Sequence, residues 1–449
     1  MYFLGVLFVA LGISVSIALH EMGHMVPAKK FGVKVTHYMV GFGPTIWSRT
    51  RGETEYGIKA VPLGGFTRMI GMFPPKPGED PSMLRASSTG RFSQLMDQAR
   101  EQSMEEVKPG DEDRVFYKLS TPKKLVVMLG GPTMNLVIAA VLLGGIFTLY
   151  GLPSLTARVS SVSQCVQTIP ANGKAPAACK PSDPQAPANA AGILPGDRIL
   201  SLAGQPVRSW DDVHTLVRPN GGRQIAIVVE RNGNRLNLAA TPMLNNVPRT
   251  DAQGVLVPGP DGKPIIDRVG YLGLSPSYEN VKQPITAVPG LIGSQVAATA
   301  HVVFTLPERM TGIAKAAFGS GERDPNLMSV VGVGRVAGEV ADGSLSSAAT
   351  GAGSGFSKLI FLISLIASLN VALFVFNLIP LMPLDGGHVA GALWEGLKRR
   401  VAKLRGRPNP GYFDVAKWLP VTYVVTIALI GMSALLMYAD VVNPIKFGG

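Results

Sequence analysis

His20-Glu21-Met22-Gly23-His24 sets two imidazoles four residues apart with a carboxylate between them. On a helix, residues four apart share a face. Both rings can then grip one zinc ion while Glu21 reaches a metal-bound water as general base, which is the chemistry of metal-assisted hydrolysis. Ionisable groups at the end of an apolar span are costly, so function is expected here rather than a polar cluster reaching for water. Tetrahedral zinc needs a third protein ligand and an open position. Asp385 is the candidate, in the stretch Asn377-Leu378-Ile379-Pro380-Leu381-Met382-Pro383-Leu384-Asp385-Gly386-Gly387-His388. Pro380 and Pro383 interrupt helical hydrogen bonding, and unwound backbone at membrane depth implies a buried or wet pocket. The alternatives are a plain turn residue at Asp385, with His388 as rival ligand. His37, His214 and His301 have no helical partner and read as structural. Asn377 can bond the broken backbone or a substrate carbonyl, with helix packing as the alternative.

The elements that must carry these groups are apolar spans. The chain has 449 residues, 46% of them hydrophobic and 16% charged, with mean hydropathy +0.25. Soluble proteins carry about 25% charged residues, so an ordinary cytosolic enzyme and wholesale disorder are both excluded. Spans are expected at 1–28, 125–150, 358–384 and 418–440. Residues 285–320 are also apolar, but His301, Glu308 and Arg309 interrupt them, so a packed or interfacial helix is expected there. Lys29, Lys30 and Lys34, then Lys123 and Lys124, then the basic run Lys398–Arg407 flank these spans. By the positive-inside rule, 29–124 and 385–417 are cytoplasmic, and the N-terminus, 151–357 and the tail 441–449 are outside. The first span lacks a basic n-region and a cleavage site, so it reads as a span and not a signal peptide. The net charge of +12 fits cytoplasmic loops. No basic run is interleaved with aromatics, so no nucleic-acid partner is expected.

Between the spans, Tyr56–Phe66 reads as strand, Gly-Gly, strand, and a short amphipathic helix is expected near Phe92, Leu95, Met96 and Ala99. Residues 151–245 form a compact α+β domain, and 246–357 a linker with an interfacial helix. Cys165 and Cys179 are too few for a four-cysteine zinc site. They lie on the oxidising side, where a disulfide and two free thiols are both open.

With these residues in view, the chain resembles the bacterial site-2 intramembrane zinc metalloproteases, over most of its length. The resemblance rests on the His-Glu-x-x-His span, the Asn-x-x-Pro…Leu-Asp-Gly span and the domain between them. Gly131-Pro132-Thr133-Met134-Asn135 is similar to the family's Gly-Pro-x-x-Asn signature. Val61–Phe66 resembles its membrane-associated hairpin. Pro187–Asp197 resembles the opening of a bacterial PDZ domain, and His20–Ala60 looks closest to actinobacterial members. One recognisable PDZ unit is present, against two in some members. The resemblance implies a polytopic α-helical plasma-membrane protein with about four transmembrane helices, a cytoplasmic β-hairpin region and an extracytoplasmic PDZ domain. It implies Zn2+ on His20, His24 and Asp385, Glu21 as base, and Asn377, Pro380 and Asn135 as active-site support. Expected partners are the lipid bilayer and single-span membrane substrates already trimmed outside, such as anti-sigma factors or remnant signal peptides. A membrane-anchored zinc peptidase for soluble peptides and a non-catalytic PDZ scaffold are the other readings. The PDZ unit is expected to gate substrates by size, or to recruit them by their new C-termini.

Overall fold

The computed structural model describes residues 1–75, 106–166, 179–249, 257, 259, 265–319, 323–324, 327–345 and 355–445. The amphipathic helix expected near Phe92 lies outside them. In chain order the main elements are α1 (Tyr2–Lys30), β1 (Val35–Arg51), β2 (Thr54–Met69), α2 (Thr121–Gly145), β3 (Leu152–Val162), β4 (Arg198–Leu202), α3 (Trp210–Val217), β5 (Ile225–Arg231), β6 (Asn234–Ala240), β7 (Met243–Pro248), β8 (Ile266–Tyr271) and β9 (Leu274–Val281). They continue with α4 (Val288–Phe304), α5 (Leu306–Phe318), α6 (Val330–Asp342), α7 (Gly355–Asn377), α8 (Asp385–Leu404) and α9 (Leu419–Val442). Contacts divide the chain into two units, Met1–Leu149 with Gln283–Gly449, and Tyr150–Lys282.

In the first unit α1 and α7 run parallel. Ser16 accepts from the Asn370 amide at 2.9 Å, and Gly12 faces Ile366 one turn earlier on both helices. This gives Asn370 a packing role. Helix α2 runs antiparallel to α1. Gly23 and Gly130 face each other so closely that a Cβ on either would sit 2.0–2.3 Å from the other's carbonyl oxygen. Small residues bring the two backbones together, as in membrane helix pairs generally.

Five helical stretches among the described residues are long and apolar enough to cross a membrane: Tyr2–Lys30, Thr121–Tyr150, Ile285–Phe304, Gly355–Asn377 and Val415–Val442. The four expected spans are among them, and Ile285–Phe304 corrects the count. The charges that argued against it, Glu308 and Arg309, belong to α5, because α4 ends at Phe304. The chain nevertheless comes back. Val288 lies beside Gly144 at the end of α2, and Gln295 reaches Ser368 of α7 at 3.3 Å. Helix α5 then returns, so that Phe318 stacks on Tyr438 and the Asn443 amide donates to the Ala316 oxygen at 3.1 Å. That end of α9 meets α6, whose Gly338 packs on Tyr2. Helices α4 and α5 therefore form a hairpin that starts and finishes at the Met1 end of the bundle.

At the other end lies a folded-over sheet. Gly41 and Gly43, at φ 94° and 83°, bend β1 in a way that side-chain-bearing residues resist. Its first half lies between both halves of β2: Tyr38 pairs with Tyr56 on one side and Thr67 on the other. Tyr56, between Tyr38 and Arg49, is thus interior to the sheet. One edge is the Gly65–Met69 half, which packs on α1, and the other is Trp47–Arg51 of β1. Phe42, Ile46, Trp47, Ile58 and Val61 leave the sheet with exposed apolar surface.

Helix α7 stops at Asn377, residues 378–384 are not helical, and α8 starts at Asp385. The expected loop at 385–417 therefore opens with an amphipathic helix. Gly387, Gly391, Ala392 and Glu395 are its buried face.

The second unit is a sheet in the order β9-β3-β4-β5-β6. Ile199, Leu202, Ile227 and Val229 alternate inward against Trp210, Val213 and Val217 of α3. Ser209 and Asp212 form a capping box that starts α3. The unit ends at Lys282, beyond the expected boundary near 245, because β9 pairs with the distant β3 (Tyr278 opposite Leu155). Cys165 and Cys179 are joined in a disulfide, S–S 2.00 Å.

Candidate metal centre

Helix α1 sets His20 and His24 one turn apart, and α2 fixes the rings. His24 Nδ1 donates to the Val127 carbonyl oxygen at 2.8 Å. The Asn135 amide lies 3.0 Å from His20 Nδ1. Which amide atom faces a ring is an assignment made from the bonding network. With the oxygen turned to His20, its Nδ1–H also donates, and both Nε2 atoms keep a free lone pair. A hydrogen bond that fixes the tautomer in this way is the usual partner of a metal-binding histidine. Gly131 makes the approach possible: a Cβ there would lie 2.2 Å from His24 Nε2 and 2.7 Å from His20 Nε2.

Asp385, the first residue of α8, completes a triangle. The two Nε2 atoms are 3.2 Å apart, and Asp385 Oδ2 is 3.3 Å from that of His20 and 3.4 Å from that of His24. Oδ2 is buried and has no hydrogen-bond donor among the described residues. Three acceptors facing one another need a cation. Ligands bound tetrahedrally at about 2.0–2.1 Å stand about 3.3 Å apart, so this set fits zinc. These three residues form the one such group of metal-capable side chains among the described residues.

Glu21 is the next residue after His20, about 100° round the helix. It faces β2: a Cβ on Gly65 would come to 3.1 Å from Glu21 Cγ, and the Thr67 hydroxyl donates to the Glu21 carbonyl oxygen at 3.1 Å. One free edge of the sheet therefore runs beside the candidate base.

His388 is absent from the triangle. It sits a turn further along α8, in a recess with Met72, Phe116 and Lys124. Asn377 is half-buried at the end of α7, with no hydrogen bond to its side chain among the described residues. Pro380 is exposed and lines an apolar cavity. His37 contacts Thr36 and Glu55, His214 accepts from Trp210 Nε1–H, and His301 is exposed on α4.

Sequence reasoning did not assign roles to Gly23, Gly130, the Val127 carbonyl or the ion pair Lys124–Glu395. The Gly130-Gly131 pair within an apolar span was the available signal. Glu395 accepts from Lys124 Nζ at 2.8 and 3.0 Å, Arg399 at 2.9 Å and the Phe413 amide at 2.9 Å. It locks α8, and so Asp385, onto α2.

The chain matches the model of peptidase family M50 over residues 8–416. It is 34% identical to the zinc metalloprotease Rip1 of Mycobacterium tuberculosis over 455 residues, 99% of each chain. The Rip1 of Mycolicibacterium smegmatis is 32% identical over 460 residues, again 99% of each. The metalloprotease MmpA of Caulobacter vibrioides is 25% identical over 395 residues, 86% of this chain and 85% of that one.

Proposed function

The chain belongs to peptidase family M50, and we propose from that premise that it is an intramembrane zinc endopeptidase whose metal is held by His20, His24 and Asp385. The observation that carries the reading is the triangle of Nε2, Nε2 and a donorless Oδ2. Zinc bound there supplies an acidified water and polarises the scissile carbonyl. Glu21 takes the proton and returns it to the leaving amine. Asn135 holds His20 in its metal-binding tautomer. A transmembrane substrate must unwind to expose a peptide bond, and the Gly65–Met69 edge beside Glu21 offers backbone pairing to the extended segment. The substrates are single-span membrane proteins pre-trimmed outside, anti-sigma factors among them. A tethered peptidase for soluble peptides would not need a ligand beyond a second span, and a scaffold would not need Glu21.

The basic residues beside α1, α2 and α8 support a cytoplasmic position for the metal end. By the same rule the N-terminus and residues 151–357 lie outside the cell. Glu21→Gln in the purified full chain should keep zinc and cut cleavage of a reconstituted single-span substrate by about 10²–10⁴-fold. Products should map within the apolar segment. Near-normal cleavage by the variant removes Glu21 from the mechanism.

A specific feature favours recruitment by the outer unit over gating by size. Strand β9 is the sheet's edge, and a cavity lies between α3 and residues 269–274, lined by Val213, His214, Val217, Leu272 and Leu274. An edge strand opposite a helix is the geometry for adding a peptide strand. Deleting residues 151–282 should then reduce cleavage of trimmed substrates while untrimmed ones stay refused. Newly permitted cleavage of untrimmed substrates supports gating instead.

A further inference from the structure

Beside the non-helical segment that leads to Asp385 is an apolar cavity of about 270 Å³. Its walls include Leu381, Met382, Trp394, Phe413, Trp418 and Val421. Gly391 is what admits Phe413, since a Cβ there would lie 2.5 Å from the ring. Trp394 and Trp418 are half-exposed, at 50% and 47%. One sits on amphipathic α8 and the other at the start of α9, a candidate span. Tryptophan prefers this level, where apolar chains meet headgroups.

Lys398 stands at the edge of the cavity, one turn beyond Trp394 on the same face of α8. Lys398, Arg400, Lys403, Arg405 and Arg407 are exposed on α8 and just beyond it, and none forms an ion pair among the described residues. Lys398 Nζ stands 5.3 Å over the Trp394 ring. From residue 386 to 418 the chain has two acidic residues, Glu395 and Asp414. Glu395 is already held by Lys124 and Arg399, and Asp414 faces Lys417. An unpaired cation above an aromatic-walled apolar slot, on a stretch whose two carboxylates are already engaged, matches one occupant: an acyl chain below an anionic phosphate. Basic pockets beside membrane helices recognise acidic lipids through this combination.

We propose that this cavity is a binding site for an anionic phospholipid, with its acyl chain between Trp394 and Trp418 and its headgroup on Lys398. The site is distinct from the metal triangle but shares the 380–387 segment with it. Bound lipid would therefore brace the backbone that presents Asp385.

Brominated acyl chains quench tryptophan on contact. The full chain has four tryptophans, so Trp47→Phe with Trp210→Phe leaves Trp394 and Trp418 as reporters. In nanodiscs, a small fraction of brominated phosphatidylglycerol should quench them at a lipid fraction about fivefold lower than brominated phosphatidylcholine needs, the preference that one surface cation supplies. Lys398→Gln, at an exposed position, should bring the two lipids level, whereas Arg400→Gln with Lys403→Gln, on the opposite face of α8, should leave the preference in place. Equal quenching in the unmodified site, or a preference that survives Lys398→Gln, overturns the proposal. So does emission that ignores both lipids and responds to a single-span substrate peptide, which would assign the cavity to substrate. Proteolysis by the same nanodiscs reads the peptidase assignment independently.

Discussion

Helix α8 carries two carboxylates ten residues apart, the half-buried Asp385 and the buried Glu395, and their surroundings are opposite. Glu395 is surrounded by donors: an ammonium, a guanidinium and a backbone amide all reach it within 3.0 Å. Asp385 turns a buried oxygen, Oδ2, toward two imidazole nitrogens, and that oxygen receives no hydrogen bond among the described residues. Buried polar atoms are normally satisfied, and a native exception calls for an explanation. At Glu395 the polar group is part of the architecture. At Asp385 the proposed metal ion would be the missing partner. One helix thus anchors itself with one carboxylate and presents the other.

The contrast breaks most directly at Glu395. Glu395→Ala strands the Lys124 ammonium in a buried position, which costs about 3–5 kcal/mol. A large fall in the unfolding midpoint is expected, with zinc still bound by the chains that remain folded. Replacing both partners, Lys124→Met with Glu395→Leu, should recover most of that stability. A single variant as stable as wild type would show that the pair does not anchor α8.

A smaller effect is expected in the outer unit, where another buried carboxylate is again saturated. Asp197 accepts from Arg231 at 2.7 Å on both oxygens and from the Leu194 amide at 2.9 Å. Burial pushes its pKa up, but the guanidinium and the amide outweigh that and hold it below the usual carboxylate value. A depressed folded pKa means that its stabilisation is fully present above the unfolded value near 3.9 and is lost as pH falls through the folded value. Asp197→Asn should cost about 2 kcal/mol at neutral pH, less than at Glu395 because Arg231 is partly solvated. The cost should shrink toward pH 2. Hydrogen exchange across residues 150–282 in the full chain reads it, and a pH-independent difference would contradict the assignment.

Much of the metal end is legible in the chain because its signals are local. Two histidines at helical spacing and a carboxylate after a proline-broken span depend on few neighbours. What stayed hidden is non-local. Gly23 and Gly130 matter only once α1 and α2 cross, and Lys124 finds Glu395 across 271 residues. Strand β9, carrying Pro276 in a turn-rich stretch, is recognisable only from its pairing with β3. In the sequence Glu308 and Arg309 interrupt the apolar run that begins at 285, but they lie past the end of its helix, in the one that turns the chain back.

Metal analysis of the purified full chain, alongside Asp385→Asn and Asn135→Ala, tests the triangle most directly. The account predicts about one zinc per chain in the wild type, loss of tight binding in Asp385→Asn, and affinity weakened about 10–100-fold in Asn135→Ala. Full zinc occupancy in Asp385→Asn, with coordination unchanged by X-ray absorption, would contradict it.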